Sequence, residues 1–226
     1  GNAAGCSNQT GNNNFFLGSF AGQMNDGGSS NNFMGARAGR CNVSGCYNNY
    51  FGFFAGNFQT GSNNVAIGNS ALQGQSGLSN GSHNFAIGAL AGCDLTTGGY
   101  NTFIGQNSGR NTESGCGNFF VGSVSGFANQ SGCYNTFFGV FAGCDNVSSC
   151  HSAYIGCLAG QHQTVGCNIG IGMMALRGQD GLSNGCHNIA MGAYAGCDMS
   201  TGKYNTFFGR EAGKNNDTGN FNFFAG

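Results

Sequence analysis

Residues 14–22 read Asn-Phe-Phe-Leu-Gly-Ser-Phe-Ala-Gly, and residues 135–143 read Asn-Thr-Phe-Phe-Gly-Val-Phe-Ala-Gly. Both are copies of one unit, Asn-x-Φ-Φ-Gly-x-x-Ala-Gly, in which Φ is apolar. We call its first glycine the repeat glycine and number positions from it. Its spacing is constant except at one shorter and one longer unit, an irregularity that recurs six units later. The repeat glycines are Gly1, Gly18, Gly35, Gly52, Gly68, Gly88, Gly105, Gly122, Gly139, Gly156, Gly172, Gly192, Gly209 and Gly226.

Six units form a larger block that is duplicated in tandem. Residues 74–105 match residues 178–209 at 23 of 32 positions. We expect one continuous array over 1–226, with blocks at 1–104 and 105–208 and a third beginning at 209–226. Because neither end carries an atypical capping unit, the sequence is predicted to be an excerpt of a longer array.

The period predicts an all-β fold, a parallel β-solenoid (β-roll or β-helix) of about 13 coils with about 17 residues per coil. A helix pair needs about 33 residues or more, and 45 glycines disfavour helices. The absence of proline fits, because every internal strand is hydrogen-bonded on both edges. Counterparts on adjacent coils then stack at about 4.8 Å.

Position −1 is apolar in every unit, so we predict that it faces the core, opposite the small residues at position +3. Position −2 is mostly aromatic, and strand alternation then points it outward. We interpret its rings as the lateral contact between rods; the alternative is that they tuck under a loop of their own chain. The candidate contact residues are Phe103, Phe120, Phe137 and Tyr154.

Two small residues interrupt the aromatic column in each block, Ala66 and Ala86 and then Gly170 and Ala190. We expect the leucine of the adjacent long coil, Leu78 or Leu182, to fill this notch. An element of a neighbouring chain is the alternative.

Position −4 is asparagine in all units but one, where it is Ser152. Stacked asparagines run amide hydrogen bonds along a solenoid or hold a left-handed turn. The predicted ladder comprises Asn14, Asn31, Asn48, Asn64, Asn84, Asn101, Asn118, Asn135, Asn168, Asn188, Asn205 and Asn222.

Twelve cysteines without a CxxC motif indicate an oxidising compartment. Cys116, Cys133, Cys150 and Cys167 follow one another at the usual spacing of the repeat, which predicts one stacked column within disulfide reach. The simplest pairing is Cys116–Cys133 with Cys150–Cys167. Bridges within a coil, Cys41–Cys46 or Cys144–Cys150, compete with it, and unpaired buried thiols are a further alternative.

Several function classes are disfavoured by composition. Charged residues make up 7% of the chain and the net charge is −1, so we expect no nucleic acid partner. No apolar run is long enough for membrane insertion. His83 and His187 occupy equivalent places in the two blocks, which indicates a repeated loop detail. We therefore predict no enzyme, no metal and no cofactor.

Three further residue sets carry weaker patterns. Asp94, Asp145 and Asp198 share position +6 and are interpreted as turn residues, with a cation site as the alternative. Thr102, Thr136 and Thr206 alternate with Phe and Asn, which disfavours ice binding. Six Asn-x-Ser/Thr sequons make glycan modification available to a secreted chain; they begin at Asn8, Asn42, Asn80, Asn129, Asn146 and Asn216.

The unit, most plainly at residues 64–68 and 84–92, resembles the head repeats of trimeric autotransporter adhesins. It is also similar to repeats in tail-fibre-like bacterial and phage surface proteins. That resemblance implies a parallel β-roll displayed on a cell surface for attachment. Taken together, we predict an extracellular or cell-surface structural protein whose rods self-associate into a fibre or filament. The alternative is an adhesin that binds a glycan or protein ligand.

Overall fold

The computed structural model describes residues 1–181 and 183–226, and it confirms the all-β parallel solenoid with the predicted coil length. Thirteen three-residue strands form one sheet in chain order. They are β1 Phe15–Leu17, β2 Asn32–Met34, β3 Asn49–Phe51, β4 Val65–Ile67, β5 Phe85–Ile87, β6 Thr102–Ile104, β7 Phe119–Val121, β8 Thr136–Phe138, β9 Ala153–Ile155, β10 Ile169–Ile171, β11 Ile189–Met191, β12 Thr206–Phe208 and β13 Phe223–Ala225.

Each strand occupies positions −3 to −1, and every pair is parallel and in register. Phe120 pairs with Phe137, for example, and Phe137 pairs with Tyr154. The short and long coils keep this register, because Ala66 pairs with both Tyr50 and Ala86. The extra residues of the long coil are therefore accommodated in its loop.

The aromatic column lies inside the solenoid, so the prediction that position −1 faces the core is wrong. Phe33, Phe120 and Phe207 at position −2 are fully buried, whereas Phe138 at position −1 is 51% exposed. Positions −2 and −1 do face opposite sides of the strand, but position −2 is the one that faces the core. The reason is a glycine column at position +4 that makes room for the rings: a Cβ on Gly126 would lie 2.4 Å from Cε2 of Phe120.

The buried rings also stack on one another along the axis. The centroids of Phe120 and Phe137 are 4.7 Å apart and their planes differ by 4°. Those of Phe137 and Tyr154 are 5.2 Å apart. Within each run of rings, a ring therefore contacts its ring neighbours along the axis and a glycine at its side, and position +3 adds buried Ala or Ser.

The gaps in the ring column are filled by a residue that sequence reasoning missed. Position +4 is glycine in every coil except two, where it is Leu72 or Leu176, and both leucines are fully buried. Cδ2 of Leu72 lies beside Gly92. In other coils the glycine at this position packs against the ring at position −2, and here that ring is replaced by Ala86. The expected filler, Leu78, is 61% exposed, so that prediction is wrong; Leu182 lies outside the described residues.

The asparagine column forms a continuous ladder of hydrogen bonds. The N–H of Asn48 donates to Oδ1 of Asn31 at 2.9 Å, and the N–H of Asn64 donates to Oδ1 of Asn48 at 2.9 Å. Nδ2 of Asn48 donates to the carbonyl of Gly61 at 2.8 Å. Where Ser152 replaces asparagine, its hydroxyl accepts the N–H of Asn168 at 3.4 Å. The left-handed turn falls on position −5 instead, as at Tyr47.

Adjacent phenylalanines in β7 provide a direct test of the inward and outward assignment. We expect Phe120→Ala to lower the free energy of unfolding by about 3–5 kcal/mol, because it removes a fully buried ring. Phe119→Ala, whose ring is half-exposed, should cost less than about 1.5 kcal/mol. Urea unfolding followed by circular dichroism measures both, and equal costs for the two variants would contradict the assignment.

Candidate interaction surface

The outward side of the sheet consists of positions −3 and −1 of β1 to β13, and we call it the strand face. Position −1 is apolar in every strand, whereas position −3 is polar in five of them, at Asn32, Asn49, Thr102, Thr136 and Thr206. The strand face contains no charged residue. Phe119, Phe138 and Ile155 are among its half-exposed members. Twelve intervals of about 4.8 Å make it about 58 Å long. An exposed apolar column of this length, unbroken at position −1, marks an interaction surface.

None of the four predicted lateral contact residues lies on the strand face. Phe103, Phe120, Phe137 and Tyr154 are all fully buried and form the core. The residues in contact with solvent are their neighbours in the same strands. The sequence did contain the signal that decides between the two columns: Ala66 and Gly170 at position −2 each occur with leucine in place of glycine at position +4.

A second surface is lined by exposed rings at position −5, which we call the surface ring column. Its rings stack where they are adjacent: His83 on Tyr100 at 4.7 Å and His187 on Tyr204 at 4.9 Å between centroids. Tyr100 is 70% exposed. The column comprises Tyr47, His83, Tyr100, Tyr134, His151, His187, Tyr204 and Phe221.

The surface ring column is interrupted by Gly117, between Tyr100 and Tyr134. A shallow groove opens at this point, lined by Tyr100, Tyr134, Ser82, Thr97 and Cys116 among others. The ring of Tyr134 leans towards Gly117, since a Cβ there would lie 2.8 Å from its Cδ1. One tyrosine face on each side of the gap is therefore not covered by a neighbouring ring of the column.

Three of the four predicted stacking cysteines form a column at position −6. Sγ of Cys116 lies 2.9 Å from Sγ of Cys133, and the N–H of Cys133 donates to Sγ of Cys150 at 3.1 Å. The short coil shifts Cys167 to position −5, so the expectation that it stacks on Cys150 is wrong. All twelve cysteines are thiols in the structure, and a Cys116–Cys133 bridge stays a prediction.

A separate set of cysteines is buried next to aspartates at positions +5 and +6. Burial, aided by the adjacent carboxylates of Asp94 and Asp145, raises the pKa of Cys93 and of Cys144 to about 12. Burial likewise raises the pKa of Cys197 to about 11. These thiols stay protonated at neutral pH, which makes them weak nucleophiles.

The remaining candidates are dispersed over the surface. His83, His151 and His187 belong to the surface ring column. Among the sequons, Asn80 is exposed, whereas Asn42, Asn129 and Asn146 are fully buried and so closed to modification in the folded chain. No helix among the described residues is long and apolar enough to cross a bilayer.

No protein-family model, curated protein or solved structure matches this chain.

Thiol labelling should separate the buried cysteines from the exposed ones. At about pH 8 the exposed Cys6, Cys157 and Cys167 are expected to react with iodoacetamide much faster than Cys93, Cys144 and Cys197. The reason is that the latter three combine burial with pKa values of about 11 to about 12. Peptide mapping by mass spectrometry measures each site. Equal labelling rates in the folded chain, with urea-unfolded chain as the control, would contradict this ordering.

Proposed function

We propose that this chain is an extracellular structural protein, a rigid β-solenoid rod that self-associates laterally into a surface fibre or filament. The observation that supports this proposal is the strand face, an uncharged surface whose position −1 residue is apolar in all thirteen strands. The twelve cysteines are consistent with an oxidising location.

A second copy of the strand face is the partner that best fits it. Two solenoids share one axial period of about 4.8 Å, so side chains of one strand face can interdigitate with those of the other along its whole length. No charge on either face opposes the contact. Side chains of a partner without this period could not pack between those of the strand face along its whole length.

The interior suits a load-bearing rod. Backbone hydrogen bonds join adjacent coils outside the strands as well, as where Gly22 N–H donates to Ala38 carbonyl at 2.9 Å and Gly126 N–H to Ala142 carbonyl at 3.0 Å. The asparagine ladder and the ring stack run parallel to them. Bending the rod would open all three kinds of contact together.

Placing charge on the strand face should disperse the fibre without unfolding the coil. We expect the triple variant Ile67→Lys, Phe138→Lys, Phe208→Lys to remain monomeric, because desolvating three ammonium groups opposes the contact. The three sites are at least four coils apart, so the new charges do not repel one another strongly. Sedimentation velocity and electron microscopy measure the assembly.

The matched control adds the same charge elsewhere. Gln75→Lys, Ser114→Lys, Thr201→Lys changes three polar residues outside the strands and should assemble like the parent chain. If the strand-face variant assembled as well as this control while both were folded, the strand face would not be the contact.

A second candidate function, an adhesin that binds glycans, is supported by the groove at Gly117. Tyrosine faces are the usual platform on which the C–H groups of a sugar ring stack, and Tyr100 and Tyr134 each present one to the gap. The hydroxyls of Ser82 and Thr97 line the same groove and offer hydrogen-bond partners.

Filling the gap tests this second candidate. Gly117 already has a φ of 65°, the conformation that the tyrosines of this column adopt, so Gly117→Tyr should leave the coil folded. The exposed ring of Tyr134, whose Cδ1 would lie 2.8 Å from the new Cβ, has to move aside for the new ring to complete the stack. We expect it to abolish glycan-array binding shown by the parent chain. The control is Asn63→Tyr at another interruption of the column, which should keep the binding. Unchanged binding by Gly117→Tyr would exclude the groove.

A further inference from the structure

Three metal-ligating side chains meet where the long coil of the second block turns. Nδ1 of His162 lies 2.7 Å from Oδ2 of Asp145 and 4.0 Å from Oδ1 of Asp180. All three ligand atoms lie within 4.8 Å of one another. The residues come from three successive coils, so only the stacking of the coils brings them together. No local sequence motif groups them.

The distances suit one small divalent cation. Zinc binds imidazole nitrogen and carboxylate oxygen at about 2.0–2.2 Å, so two ligand atoms of a tetrahedral site are about 3.3 Å apart. The observed 2.7 Å and 4.0 Å lie on either side of that value. Small side-chain rotations bring both carboxylates into range, and the fourth position is left for water.

The backbone under two of the ligands is held by the coil-to-coil ladder. The N–H of Asp145 donates to the carbonyl of Gln161 at 2.9 Å, and the N–H of His162 donates to that of Arg177 at 2.8 Å. Nε2 of Gln179 donates to the carbonyl of Asp198 at 2.9 Å, which ties the loop before Asp180 to the next coil. The imidazole of His162 is mostly buried, so its position is restricted by packing.

The two carboxylates converge without a cation of their own. Among the described residues, no lysine or arginine forms an ion pair with Asp145 or Asp180. Asp145 and Asp180 come from the coils on either side of the one that carries His162, and their carboxylate oxygens lie within 4.8 Å of each other. A bound cation would offset the repulsion between them.

The duplicated block supplies an internal comparison. The equivalents of Asp145, His162 and Asp180 in the first block are Cys41, Phe58 and Ser76. All three ligands are thus present in the second block and all three are replaced in the first, although the two blocks share the surrounding loop sequence.

We propose that Asp145, His162 and Asp180 bind one divalent first-row transition metal ion, of the zinc type, that fastens the loop of the second long coil to the two coils before it. The carboxylate and imidazole donors favour zinc or cobalt over the thiol-selective soft metals. The first block has no such fastening. This inference is independent of the fibre and adhesin proposals, since it concerns cohesion between coils.

Cobalt and zinc titrations test the site on the whole chain, freed of any histidine tag and kept reduced. We expect one Co²⁺ per chain with visible absorption but without thiolate charge-transfer bands. Zinc binding measured by calorimetry should be abolished in His162→Gln and at least about tenfold weaker in Asp180→Asn. Asp180 is 91% exposed, so its substitution does not threaten the fold. Zinc should also raise the thermal midpoint of the parent chain but not of His162→Gln.

Two controls separate this site from other ligands of the chain. His83→Gln removes an imidazole of the surface ring column, and the triple variant Cys116→Ser, Cys133→Ser, Cys150→Ser removes the thiol column. Both should bind the metal like the parent. Thiolate bands in the cobalt spectrum, binding that survives His162→Gln, or the absence of any binding would each overturn the proposal.

Discussion

Every side chain in this solenoid must fit within the distance of about 4.8 Å that separates it from its counterpart on the next coil. The repeat glycines show the constraint most directly, since a Cβ on Gly18 would lie 2.4 Å from the carbonyl oxygen of Gly35. Aromatic rings fit this spacing because they are flat and stack. Asparagine fits because its amide both accepts from and donates to the adjacent coil, as Asn48 does with Asn64 and Gly61.

The same spacing explains why the chain has so few charges. Two like charges about 4.8 Å apart repel by about 1 kcal/mol in water, and a stacked column would repeat that cost at every coil. Columns of uncharged residues carry no such cost. The low charge and the uncharged strand face are therefore two consequences of one geometry. Asp145 and Asp180 are not counterparts, since they stand at positions +6 and +8 of coils two apart, yet their carboxylate oxygens lie within 4.8 Å of each other.

Much of the fold followed from the sequence, because the short repeat period and the absence of proline leave few alternatives to a parallel solenoid. The assignment of inside and outside did not follow, because a three-residue strand such as β7 has only one alternation and both Phe120 and Val121 are apolar. The residue at position +4 decides which column is buried, because its size complements that of position −2. Small Ala66 occurs with Leu72, whereas the ring of Phe120 occurs with Gly126. The groove at Gly117 and the Asp145–His162–Asp180 cluster could not be predicted, since each joins residues from different coils whose lateral positions depend on loop geometry.

In the long coil of the first block, alanine replaces the ring at position −2 and leucine replaces the glycine at position +4. This replacement affects which coils pair with each other during folding. Coils of equal length and similar sequence can pair with the wrong neighbour, displaced by a whole coil, at little energetic cost. Leu72 fits only beside Ala66 and Ala86, and against a ring it would overpack. A chain displaced by one coil would thus bring Leu72 against a ring and leave a cavity beside Ala86. The long coil occurs once in each six-coil block. Its leucine therefore favours the native pairing of coils over pairings displaced by a whole coil.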